Sequence, residues 1–179
     1  MAEEAIGNYK QAISLYETQL SIVRETGDWE QEISALGNLG NVFYQLEDYD
    51  QALSFYQKAL AVAVKYKCFS AEAKTLSNIA NVQVACGQCR DSEENFQSAL
   101  MIFISQKDKL NQCKVLFNLS ELKLAVTEVQ VSQQYCQQAL ALATELGIPL
   151  KAECESLMEE IQKRAKSEGG HADRIDDAC

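Results

Sequence analysis

The chain has 179 residues, enough for one ordinary domain with a sizeable core. Apolar residues make up 47% and charged residues 23%, a globular composition and not a disordered one. A net charge of −10 and a pI of about 4.6 leave no basic face for nucleic-acid phosphates, and no run of Lys and Arg marks a membrane-surface patch. One proline and eight glycines, with abundant Ala, Leu, Gln and Glu, point to an all-α fold.

The first predicted element is a helix over Tyr9–Glu25. The sequence before it has neither a basic n-region nor an apolar h-region, so it does not read as a signal peptide. No window approaches 18 consecutive apolar residues, so no membrane span is expected. Cytoplasm or nucleus is the expected compartment. A turn follows near Gly27–Asp28. The next helix contains Ser34–Leu46, with Leu36, Leu39, Phe43 and Leu46 as an apolar stripe at i, i+3, i+7 and i+10. It also contains "GNLGN" (Gly37–Asn41), four poor helix formers in five positions.

After a turn near Glu47–Asp48, "YDQALSFYQKAL" (Tyr49–Leu60) repeats "YKQAISLYETQL" (Tyr9–Leu20) at a distance of 40 residues. Two more steps of 40 give Cys89–Leu100 and Val129–Leu140. Three columns keep their character. Ala12, Ala52, Ser92 and Ser132 are small. Tyr16, Tyr56, Phe96 and Cys136 are mostly aromatic. Leu20, Leu60, Leu100 and Leu140 are invariant. The intervening helices are also in register, Ser34–Leu46 onto Lys74–Cys86 onto Lys114–Val126. Each 40-residue unit is therefore two antiparallel helices, A then B. Further turns are expected near Lys67–Cys68, Gly87–Gln88, Lys107–Asp108, Thr127–Glu128 and Gly147–Ile148.

A lone helix pair cannot bury its apolar face, whereas stacked pairs can. The expected organisation is an unpaired B helix of a first, incomplete repeat (1–26), three units (27–66, 67–106 and 107–146), a C-terminal capping helix (147–166) and a disordered tail (167–179). The apolar side of the first helix, with Ile13, Tyr16 and Leu20, lacks the usual A-helix partner. Either the chain is a piece of a longer array, the favoured expectation, or something else covers that face.

Leu36, Leu39–Gly40, Phe43, Ala52, Tyr56 and Ala59 fall where tetratricopeptide repeats (TPR) place their Trp, Leu-Gly, Tyr, Ala, Phe and Ala. The chain resembles that family from about Tyr9 to Ile161. The family's usual unit is about 34 residues. The longer unit here is similar to those of G-protein-signalling-modulator and tonsoku-like proteins, with kinesin light chains a more distant likeness. Val129 and Cys136 depart from the pattern. The resemblance implies a right-handed solenoid of helix-turn-helix pairs, with A helices lining a concave groove.

Little in the chain suggests catalysis. The only histidine, His171, falls in the predicted tail, where a nucleophilic constellation could not be preorganised, and no glycine-rich phosphate loop is present. No enzyme activity, cofactor or metal is expected. The seven cysteines are odd in number and read as reduced thiols. "CGQC" (Cys86–Cys89) lacks both the βαβ context of a redox motif and the second pair of a zinc site. Its register, at the places of Leu46 and Tyr49, makes both cysteines small apolar fillers beside a turn.

The groove side of the A helices carries the candidate partner-binding residues. Asn38, Asn78 and Asn118 form one amide column, while Asn41, Asn81 and Glu121 form a second. Tyr44, Gln45, Lys74 and Lys114 complete the set. A carboxamide both donates and accepts, which suits the unpaired backbone of an extended peptide. For the first column two readings stay open, contact with a ligand or bonds between adjacent A helices. The second ends in Glu121, which a purely structural ladder does not require, so Asn41 and Asn81 point to a ligand. The carboxylate clamp of chaperone-binding relatives maps onto Gly37, Asn41, Asn78, Lys114 and Asn118. It lacks its first cation and its arginine, which argues against capture of a C-terminal carboxylate.

The sequence thus points to an adaptor or scaffold module that holds an extended protein or peptide segment in its groove. The alternative is a structural module that self-associates through its first helix.

Overall fold

The computed structural model describes the backbone of residues 2–172 and the side chains of residues 8–167. Among the described residues there are eight helices and no strand: α1 (Ala2–Thr26), α2 (Trp29–Gln45), α3 (Tyr49–Lys65), α4 (Phe69–Ala85), α5 (Cys89–Ser105), α6 (Lys109–Ala125), α7 (Val129–Leu146) and α8 (Leu150–Ala172). The fold is an all-α helical-repeat solenoid.

The turns set its rhythm. Gly27, Glu47, Lys67, Gly87, Lys107, Thr127 and Gly147 have positive φ and recur every 20 residues. Each closes a helix in the same way. In the turn after α2, the Glu47 N–H bonds the Tyr44 carbonyl (3.0 Å) and the Asp48 N–H reaches back to the Phe43 carbonyl (2.9 Å). This paired closure satisfies helix-end carbonyls and requires a left-handed residue at its centre. Asp48 then opens the next helix, its side chain accepting from the Gln51 N–H at 3.1 Å. Asp28 and Asp108 do the same for Gln31 and Asn111. Cys68 and Glu128 hold the equivalent position without a side-chain cap bond.

The chain divides into two compact units, Met1–Ile102 and Phe103–Cys179. In the first, α1 packs on α2, α2 on α3 and α3 on α4, and the A helices α2 and α4 also touch. One core cluster joins Leu20 and Val23 of α1 to Ala35, Leu36 and Leu39 of α2 and Ala59 of α3. A second joins Ala52 and Tyr56 of α3 to Ile79 and Val82 of α4. Phe43 packs against both clusters and stacks on Phe55, with ring centroids 5.3 Å apart. Each such large side chain withdrawn from water contributes roughly 1.5–3 kcal/mol before entropy is set against it.

In the second unit, α6 packs on α7, α7 on α8, and α6 touches α8. Its core combines Phe103, Leu119, Val129 and Ile161, all fully buried, with small polar pairs. Ser120 and Ser132 exchange reciprocal hydroxyl-to-carbonyl bonds of 2.9 and 2.8 Å between α6 and α7. The Cys113 thiol donates to the Ala139 carbonyl and the Cys136 thiol to the Cys154 carbonyl. Among the described residues no buried side-chain polar atom lacks a partner, as a low-dielectric interior demands.

Several expectations are corrected. Ile13, Tyr16 and Leu20 find cover in the A helix that follows: Leu20 belongs to the first core cluster, and Ile13 and Tyr16 pack against it. Among the described residues, the large apolar side chains that α1 exposes are Leu15 and Ile22. Leu46 is no member of the buried stripe: it is the C-cap of α2, where the chain has begun to turn, and is exposed. Cys86, at the matching C-cap of α4, is likewise exposed and fills no core. The last helix runs to Ala172, six residues beyond the expected end at 166. Cys179 and the side chain of His171 lie outside the described residues.

Candidate functional site

The two A helices of the first unit run side by side and leave a trough between them. Its larger part is a cavity of about 490 Å³. α2 contributes Trp29, Glu30, Ile33, Ser34, Gly37, Asn38 and Asn41; α4 and the residue before it contribute Cys68, Ser70, Ala71, Lys74, Thr75 and Asn78. A smaller hollow of about 220 Å³ is lined by Asn41, Tyr44, Gln45, Tyr56, Asn78 and Asn81. Asn41 and Asn78 border both, so the two form one continuous trough. Positions one helical turn apart are about 6 Å apart along the axis. Ile33, Gly37, Asn41 and Gln45 thus line about 18 Å of α2, the span of five or six residues of an extended chain.

Seven of the sequence-derived candidates meet here: Asn38, Asn41, Tyr44, Gln45, Lys74, Asn78 and Asn81. Lys114, Asn118 and Glu121 lie on α6, in the second unit. Lys114 is exposed, and Asn118 is half-buried with a partner of its own. Glu121 keeps part of its side chain in solvent, yet its carboxyl is held above the ordinary carboxylate range. Partial burial is the main cause, and Glu153 and Glu160 of α8 add to it.

Asn41 is not a free amide. Its Oδ1 accepts a 2.6 Å hydrogen bond from the Tyr56 hydroxyl. Burial, and then Tyr44, push the Tyr56 hydroxyl well above the usual tyrosine range, so it stays protonated as the donor. That bond takes up one lone pair of the amide oxygen and leaves the Asn41 NH₂ group as a donor. Gly40 makes this bond possible. A Cβ at Gly40 would sit 2.5 Å from the Tyr56 ring, so only glycine lets the ring lie against α2. Gly37 is the opposite case, since a Cβ there meets nothing within 4 Å.

Sequence reasoning missed Trp29 and Cys68. Both sit at turns, outside the amide columns. The signal that could have found Trp29 is that it is the chain's one tryptophan. Its ring stacks on Tyr66 at 5.0 Å and 9°, and Lys65 Nζ lies 5.0 Å from the Tyr66 centroid. Cys86 and Cys89 lie away from the trough, and no group of three or more His, Cys, Asp or Glu among the described residues could hold a metal. Nor is any described helix long and apolar enough to cross a membrane.

Comparison with known proteins supports the same frame. Residues 1–63 match the tetratricopeptide repeat family model. No curated protein sequence matches the chain. Among solved structures, BtubC (BKLC) from P. vanneervenii superposes with a TM-score of 0.84 at 21% identity, over 98% of this chain and 76% of that one. A STAND protein (signal transduction ATPase with numerous domains) with a tetratricopeptide repeat sensor, from Pyrococcus horikoshii, gives 0.78 at 18% identity. That match covers 88% of this chain but only 24% of the other. A Rap protein complexed with competence and sporulation factor gives 0.77 at 17% identity, over 98% of this chain and 50% of that one. At these identities the likeness is one of fold. The family model matches about the first third of the chain, and the structural matches share its all-α helical-repeat fold.

Proposed function

We propose that the chain is an adaptor module that holds an extended segment of a partner protein in the trough between α2 and α4. The observation that carries this reading is the continuity of the two hollows through Asn41 and Asn78. A pocket for a compact small molecule needs no such extension, whereas a strand-like peptide does. The Asn41 NH₂, Asn78 and the Lys74 ammonium offer hydrogen-bond donors along the path, and Asn78 can also accept. They would meet the carbonyl and N–H groups that an extended backbone leaves unpaired. A Rap protein of the same fold has been solved in complex with competence and sporulation factor, which is consistent with a solenoid of this kind receiving a ligand.

The test is a displayed library of random peptides selected on the full chain. Recovered peptides should bind a Lys74→Ala/Asn78→Ala variant at least about tenfold more weakly, the loss of one or two good hydrogen bonds. The variant's melting temperature should match the wild type. Peptides indifferent to the double substitution would sink the reading.

A further inference from the structure

The cavity around Gly37 is less polar by its surface than by its residue names. Ser34 donates its hydroxyl to the Glu30 carbonyl of its own helix at 3.1 Å. Thr75 donates to the Ala71 carbonyl at 2.8 Å. Both hydroxyls are spent on their own backbones, which leaves carbon surface to the cavity. Trp29, Ile33 and Ala71 add more, and the wall is predominantly apolar. The one anion and the one cation at its edge, Glu30 and Lys74, are opposite in sign, so the cavity favours neither charge in an incoming side chain.

The floor is a feature of this repeat alone. Gly37 is half-buried, yet open space lies where its Cβ would point. The register puts Ser77 and Phe117 at the same place in the next two units. Ser77 folds its hydroxyl back onto the Ala73 carbonyl at 3.0 Å. A bare backbone under a wall of fixed aromatic surface is a preorganised vacancy. Trp29 is held in place by Tyr66, so a guest need not order it. The volume of about 490 Å³ falls within the range of roughly 300–1,000 Å³ typical of ligand pockets.

We infer that this cavity is the specificity pocket of the trough, taking one bulky apolar side chain, aromatic or long aliphatic, from the bound segment. The inference rests on the trough reading above and adds the chemistry of the residue it selects. The occupant is a side chain of a partner segment and not a free small molecule. The cavity opens at Asn41 and Asn78 into the smaller, more polar hollow, where a chain can continue with its backbone held.

The experiment uses the peptides recovered from the library on the full chain, measured against Gly37→Phe and Gly37→Ala. Phenylalanine at 37 projects into the open volume and should occupy the part of it above the helix backbone. Alanine only shortens it. Recovered peptides should share one position dominated by Trp, Phe, Leu or Met. Their affinity should fall tenfold or more on Gly37→Phe and severalfold less on Gly37→Ala. Both variants should melt at or above the wild-type temperature, because glycine is a poor helix former. Should Gly37→Phe fail to fold, replacing the shared apolar residue of the peptide by Ala reads the same contact, with the same tenfold loss expected. Peptides that need Lys74 and Asn78 but lack the apolar position, or that bind Gly37→Phe undiminished, overturn the pocket and leave the trough standing. Peptides indifferent to Lys74 and Asn78 as well overturn both.

Discussion

Two glycines three residues apart in one helix obey opposite rules. At Gly40 a methyl group would collide with the Tyr56 ring, a buried side chain tied to Asn41. Gly40→Ala should therefore destabilise the protein, by about 1–3 kcal/mol of overpacking set against about 1 kcal/mol of helix propensity gained. Gly37→Ala meets no atom and should add that same ~1 kcal/mol of propensity undiminished. Urea unfolding of the two variants checks both signs, and Gly40→Ala as stable as Gly37→Ala would refute the packing account. The packing role of Gly40 was legible in the sequence, since its column holds Ala80 and Ser120 and is always small. The bond of Asn41 was not. Its partner lies 15 residues away on the next helix, and no periodicity reports which amide oxygen meets which hydroxyl.

At the scale of the element, the helices are written in turns more than in helices. Four of the seven left-handed positions are not glycine: Glu47, Lys67, Lys107 and Thr127. The left-handed conformation costs an ordinary residue roughly 1–2 kcal/mol, and a β-branched one is a clear outlier there. Thr127→Gly should stabilise the fold by about 1 kcal/mol, less the entropy glycine adds to the unfolded chain. Asp48→Ala should cost about 1 kcal/mol, because it removes the cap bond to Gln51. Thermal melts of the two single variants should move in opposite directions. The internal turns were expected close to these positions, because the 40-residue period recurs in register, while the outer ends of α1 and α8 lie beyond its reach. What periodicity could not show was which stripe residue ends exposed. Leu46 and Cys86 share the helical spacing of the core but stand at C-caps, where the chain leaves the helix and the stripe no longer faces a neighbour. The amide columns of the trough were likewise visible, while its apolar end was not. That end depends on a turn residue, Trp29, and on hydroxyls bent back onto their own helices.

Across the whole molecule acid outweighs base by ten charges, and the pI is about 4.6. Part of that excess is placed at a loss. The Glu121 carboxyl is held above the ordinary glutamate value of 4.5 by burial and by Glu153 and Glu160. The folded chain therefore holds a proton there more readily than the unfolded chain does. Stability from this group is present below pH 4.5 and is lost as pH rises through the folded value. Glu121→Gln should melt higher than the wild type at pH 7, and the gap should close as pH falls toward 4.5. Calorimetry of both proteins across that range decides it, and a gap independent of pH would refute the electrostatic account. The spacing of the left-handed residues carries a different consequence, for how such a gene can change. Helices α2 to α6 begin and end on a beat of 20 residues, but A and B alternate, so the reading phase of the architecture is 40. Excising codons 67–106 would join Tyr66 directly to Lys107. That splice restores a left-handed residue after the C-cap of α3 and an aspartate cap, Asp108, before the next A helix. Excising 67–86 would instead set one B helix after another, out of phase with everything downstream. The protein can lengthen or shorten in whole pairs without rewriting a single turn.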